Sequence, residues 1–90
     1  MITIKNEEEI AIMRESCRLL GILHRELADF IRPGLSTFKI DTFGEQMIHK
    51  LGGIPNFKNY NGYPASICVS VNDEVVHGIP RKDRIIKDGD

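Results

Sequence analysis

A stripe of mainly apolar positions opens the chain: Ile10, Met13, Cys17, Leu20, His24, Leu27 and Ile31 recur at spacings of three and four. Ile12, Leu19, Leu23 and Phe30 widen that stripe beyond a coiled-coil seam. The pattern predicts one long helix over residues 6–31, buried against something broad such as a sheet or a second helix. Asn6 is its expected N-cap, and Glu7, Glu8 and Glu9 stand in the first turn, where the helix dipole favours negative charge. Pro33-Gly34 ends it.

Ser36 and Thr37 are placed to cap a second helix, whose apolar positions are Ile40, Phe43, Met47, Ile48 and Leu51 and whose stop is Gly52-Gly53. Residues 54–64 form a loop of Pro, Asn, Gly, Tyr, Phe and Lys, too aromatic for a mere linker. Ser66–Val71 reads as a strand by its β-branched, apolar run, and Asn72-Asp73 as a turn. Val75-Val76-His77 returns as a short paired strand, which Gly78-Ile79-Pro80 interrupts. Residues 81–90 are a polar connection around Ile85-Ile86, closing on the turn Lys87–Asp90. No repeat or low-complexity tract divides the chain. The order is helix, helix, loop, hairpin, then an unfinished element.

Charge narrows the partners. Twelve basic against thirteen acidic residues give a net charge of −1 with no long block of either sign, which favours neither nucleic acid nor an anionic membrane. Hydrophobic content of 41% and charged content of 28% belong to a globular protein. The two cysteines, Cys17 and Cys68, are too few and too dispersed for a disulfide framework, so a reduced, cytoplasmic chain is the simpler expectation. No stretch approaches the roughly 20 apolar residues that span a bilayer. The acidic start MITIKNEEEI is unlike a signal peptide.

Three sets of residues invite chemistry. His77, at a strand end beside Gly78, can donate from one nitrogen and accept at the other, which suits contact with a peptide amide. The structural alternative is a histidine that caps the strand on a backbone carbonyl. Phe57, Tyr60 and Tyr63 either wall an apolar pocket or anchor their loop to the core. Asp73, Glu74 and His77 are metal-binding residue types, but turn chemistry accounts for Asn72-Asp73, and no HExxH or CxxC pattern accompanies them. His24 and His49 read as structural, the first half-buried in its stripe and the second near a helix C-terminus. Cys17 reads as a small buried hydrophobe, and Cys68 as either pocket lining or core.

The run Tyr60–Pro80, YNGYPASICVSVNDEVVHGIP, resembles type I methionine aminopeptidase in its short bacterial form. Ile4-Lys5 with the acidic run after it, Met13-Arg14, Arg32-Pro33-Gly34 and Lys87-Asp88-Gly89-Asp90 fall where that family has them. The resemblance implies an α/β "pita-bread" fold, of which residues 1–90 would be the N-terminal portion of a single catalytic domain, ending before the metal-binding strands. It implies a metalloexopeptidase that removes the initiator methionine from nascent proteins, a monomer when full length, with ribosome association as a further partner. His77 would contact the substrate amide and steady the tetrahedral intermediate. Tyr60, Tyr63 and Cys68 would line the methionine pocket, with Phe57 where many relatives carry a cysteine. The family's two divalent metal ions (Co, Fe, Mn or Zn) are held by two aspartates, one histidine and two glutamates, all expected beyond Asp90. The ninety residues alone are therefore expected to be inactive. Two other readings stand beside this one: a pita-bread relative without catalysis that binds peptide or protein, and a truncated product without function.

Overall fold

The computed structural model describes all of residues 1–90. Helix α1 runs Glu7–Phe30 and helix α2 runs Thr37–Lys50; a short 3-10 turn, Tyr60–Gly62, lies in the loop that follows. Asn6 caps α1 by a reciprocal pair of bonds: its side chain accepts from the Glu9 amide at 2.8 Å, and the Glu9 carboxylate accepts from the Asn6 amide at 3.2 Å. Ser36 caps α2 by accepting from the Lys39 amide at 3.1 Å. At the other end of α2, Gly52 at φ 86° lets its own amide reach the His49 carbonyl and the Gly53 amide reach that of Ile48. That pair of bonds ends the helix where the glycines predict, using a left-handed backbone that glycine takes without steric cost.

The core gathers on one face of α2. Thr37, Ile40, Asp41 and Gly44 are all buried, at helical spacings of three and four. Residues 81–86 lie across the N-terminus of that helix. The Thr37 and Phe38 amides donate to the Arg84 and Arg81 carbonyls, at 2.9 and 3.1 Å. The Thr37 hydroxyl takes the Arg81 amide at 2.8 Å, and Ser36 pairs with Ile85 in a single antiparallel bridge. Free amides at a helix start are thus satisfied by a distant segment of the same chain.

Helix α1 departs from its expected burial. Only Leu23 is fully buried, with Leu19, Ile22, Leu27 and Phe30 half-covered. Ile10, Met13, Leu20, His24 and Cys17 are exposed, so Cys17 is no core residue and His24 is not half-buried. The cause is packing: α2 is the one element laid against α1, and the covered line Leu19, Leu23 and Phe30 lies one position round from the stripe traced by Met13, Cys17, Leu20 and His24. Phe30 and Phe43 stack face to face across this contact, with ring centroids 4.0 Å apart.

The hairpin also differs from expectation. The chain turns back at Asn72, whose φ of 54° is the left-handed value a tight hairpin turn requires, and the Glu74 amide closes the turn on the Val71 carbonyl at 3.1 Å. No strand ladder forms between 66–71 and 75–77. One backbone bond joins the two arms, from the Val69 amide to the Gly78 carbonyl at 2.8 Å. Side chains supply the others: the Ser70 hydroxyl accepts the Gly78 amide at 3.0 Å, and the Glu74 carboxylate accepts the Val71 amide at 2.8 Å. His77, at φ 64°, leaves the β region and throws the return arm out of register with a ladder.

The packing yields a contrast in cost. Ile40→Ala, at a site 2% exposed, should destabilise the fold by roughly 2–5 kcal/mol. Ile12→Ala, at a site 66% exposed, should stay within about 0.5 kcal/mol. Denaturant unfolding of both variants checks this, and equal costs would contradict the assigned core.

Candidate functional site

The loop after α2 is tied into a compact coil before the turned-back run begins. The Tyr60 amide donates to the Phe57 carbonyl, the Tyr63 amide to that of Tyr60, and the Asn59 amide to that of Tyr63, all at 2.8–2.9 Å. Asn59 and Asn61 take φ values of 66° and 48°, which asparagine tolerates better than other side chains. This coil brings the Phe57 ring to 5.7 Å from that of Tyr63 and 6.1 Å from that of His77, the last pair edge to face. Tyr63 is held from its other end. Its hydroxyl donates to the Ile67 carbonyl at 2.8 Å and lies 3.4 Å from that of Gly78.

Phe57, Tyr63 and His77 thus form one wall, and the half-buried Cys68 thiol lies beside the Tyr63 hydroxyl. Tyr60 stands apart on the 3-10 turn, 65% exposed. Burial pushes the Tyr63 phenol well above its ordinary range, with Cys68 and the Asp41 charge adding to the effect. The phenol therefore stays a protonated donor at any physiological pH, and its ring presents a neutral face.

His77 is exposed and conformationally strained. A left-handed backbone costs a non-glycine residue about 1–2 kcal/mol, and such strain gathers at functional sites. It is held by its neighbour Gly78, which gives its amide to Ser70 and its carbonyl to Val69. A β-carbon on Gly78 would collide with the Val69 carbonyl oxygen, lying closer than any side chain permits. The turn at Asn72 is fixed in the same manner, its side-chain amide donating to Asp90 at 2.9 Å.

Two anchors of this wall carry no sequence motif. Asp41, buried on α2, accepts the Ser66 and Ile67 amides on a single oxygen at 2.8 and 2.9 Å. Ile67 packs over Gly44, where a β-carbon would approach its side chain to 3.3 Å. The one signal for both is register, since positions 37, 40, 41 and 44 share a helical face. Asp73, Glu74 and His77 do not converge, and no group of three His, Cys, Asp or Glu side chains is arranged to hold a metal ion. The ninety residues do not by themselves fit a metal centre.

Residues 11–90 match the model of metallopeptidase family M24. The chain belongs to that family. It is 52% identical over its whole length to methionine aminopeptidase 1 of Bacillus subtilis and 46% identical to the methionine aminopeptidase of Clostridium acetobutylicum, covering 36% of each. The crystal structure of methionine aminopeptidase from Thermotoga maritima superposes with a TM-score of 0.92 at 39% identity, over 99% of this chain and 36% of that one. The Rickettsia prowazekii enzyme gives the same TM-score at 34% identity. The chain therefore spans about a third of the length of the relatives it matches. The M24 chain has the pita-bread fold that the resemblance implies, represented by two helices, the loop and the turned-back run. No helix in it is long and apolar enough to cross a membrane.

Two outcomes follow from this geometry. Gly78→Ala should break the Val69–Gly78 bond and expose the Val69 amide to exchange; hydrogen exchange as slow as in the native protein would refute the close approach. Asp90 is held below the usual carboxylate range, chiefly by the Lys87 amide and then by Asn72. A lowered folded value means the tie to Asn72 is fully present above the ordinary carboxylate value of about 4 and is lost as pH falls through the lowered one. The Asn72 side-chain amide signals should move over that acid range, and a flat titration would count against the tie.

Proposed function

We propose that this chain is the N-terminal portion of a single pita-bread domain that removes the initiator methionine from nascent proteins, and that it supplies the wall recognising that methionine. The observation that carries the reading is the convergence of Phe57, Tyr63 and His77, with Cys68 beside Tyr63, in a chain similar throughout to methionine aminopeptidases. A methionine side chain is flexible and polarisable, and it gains about 0.3–1.5 kcal/mol for each sulfur–aromatic contact. Phe57 and the protonated Tyr63 offer such faces. An apolar wall also disfavours charged side chains through their desolvation.

His77 stands at the edge of that wall, its ring against Phe57 and its backbone fixed by Gly78. Exposed to solvent, it can donate to or accept from a substrate amide that lies along the wall. Its part is to bind and orient the peptide and to stabilise charge on the amide as it is attacked. Tyr60, exposed on the outer turn, is assigned to the mouth of the pocket that this wall would form with the rest of the domain. The divalent metal ions that the family name implies would be held by residues outside these ninety, so the chain alone is inactive. N-terminal methionine peptides are the substrates, and the cytoplasm, where nascent chains emerge, is the site of action. A monomeric full-length enzyme that meets its substrates at the ribosome completes this reading.

His77→Ala in the full-length protein should lower turnover of Met-Ala-type peptides by about tenfold or more with metal content unchanged. Unchanged kinetics would remove His77 from the reaction. A full-length protein that binds such peptides without cleaving them would instead favour a peptide-binding module.

A further inference from the structure

Asp41 is a charged residue buried on a helix face that otherwise carries Thr37, Ile40 and Gly44. Such a carboxylate persists where it satisfies groups that would otherwise be stranded. Its Oδ1 takes the amides of two successive residues, Ser66 and Ile67, at 2.8 and 2.9 Å. The next link is the Ile67 carbonyl, which receives the Tyr63 hydroxyl at 2.8 Å. That hydroxyl lies 3.4 Å from the Gly78 carbonyl, which also receives the Val69 amide. Hydrogen bonds thus run from α2 through Ile67 to Tyr63, whose hydroxyl lies close to the carbonyl of Gly78, the residue beside His77.

We propose that Asp41 is a positioning residue for methionine recognition: its carboxylate clamps the backbone at Ser66-Ile67, and the clamp sets the orientation of Tyr63 and the wall it shares with Phe57 and His77. The proposal rests on the reading of that wall as the methionine pocket. The clamp's bonds reach Tyr63, whereas the backbone beside His77 is held separately by the bonds of Gly78 to Ser70 and Val69, so loss of the clamp should appear in substrate binding more than in turnover. The operative feature is the acceptor oxygen, because both amides converge on one atom. Asparagine retains a carbonyl oxygen in that position, and alanine retains nothing.

The test uses the full-length protein with Asp41→Ala, Asp41→Asn and Asp41→Glu, assayed on a Met-Ala-type peptide, alongside hydrogen exchange at the Ser66 and Ile67 amides. Asp41→Ala should raise KM by about tenfold or more while kcat stays within about threefold and metal content is unchanged. Asp41→Asn should return KM to within about threefold of native and keep both amides protected, whereas Asp41→Ala should let them exchange. Should Asp41→Ala fail to fold, Asp41→Glu displaces the acceptor by one methylene and should raise KM by an intermediate factor. A native KM in Asp41→Ala, or in Asp41→Glu where alanine does not fold, would overturn the proposal, as would Asp41→Asn being as damaging as alanine. If the native full-length protein releases no methionine, the functional reading fails separately. The clamp is then judged on the two amides and the Tyr63 ring signals, and their indifference to Asp41→Ala would refute it.

Discussion

The buried face of α2 is the constraint on which the rest of the molecule hangs. Thr37, Ile40, Asp41 and Gly44 meet two separate stretches of chain at one helical stripe. At its upper end Thr37 and Ser36 receive residues 81–86, and the helix's free amides find their acceptors there. One turn on, Asp41 holds Ser66 and Ile67, and Gly44 leaves room for the Ile67 side chain. A chain with little regular structure after residue 50 is thereby given a defined path. The order comes from satisfied backbone groups more than from buried apolar area, since only Leu23, Ile40, Ala65 and Val71 form a fully buried apolar core.

Local signals in the sequence translated directly into structure where the physics is local. Asn6 with three glutamates after it, Ser36 before an apolar stripe, and Gly52-Gly53 each end or begin a helix by bonds made within a few residues. The asparagine turn at residue 72 belongs to the same class. Non-local facts were harder to read. The apolar stripe of α1 spans most of its circumference, so periodicity could not say which line α2 covers, and Leu19–Leu23–Phe30 is covered in place of Cys17–Leu20–His24. The β-branched run 66–71 carries strand propensity, yet propensity does not supply a partner, and His77 at positive φ replaces ladder bonds with Ser70 and Glu74 side chains. Asp41 was invisible for a different reason: an aspartate amid Lys39, Thr42 and Glu45 looks like a solvated face until its amide partners are known.

The candidate site follows the same division. Residue types pointed to His77 and the aromatic loop, and the fold sets Phe57 against both Tyr63 and His77 with Cys68 alongside Tyr63, leaving Tyr60 outside. The left-handed backbone at His77 and the close approach at Gly78 fix the path of the chain at the proposed site. Membership of metallopeptidase family M24 gives the proposed site its chemical class, and the chain spans 36% of the relatives it matches.

The central claim is that the wall built on α2 receives a methionine side chain. A crystal structure of the full-length protein with a methionine-bearing product bound tests it most directly. The account predicts the thioether in van der Waals contact with Phe57 and Tyr63 and the product's backbone within hydrogen-bond distance of His77. A methionine side chain seated elsewhere, with Phe57, Tyr63 and His77 unoccupied, would contradict it.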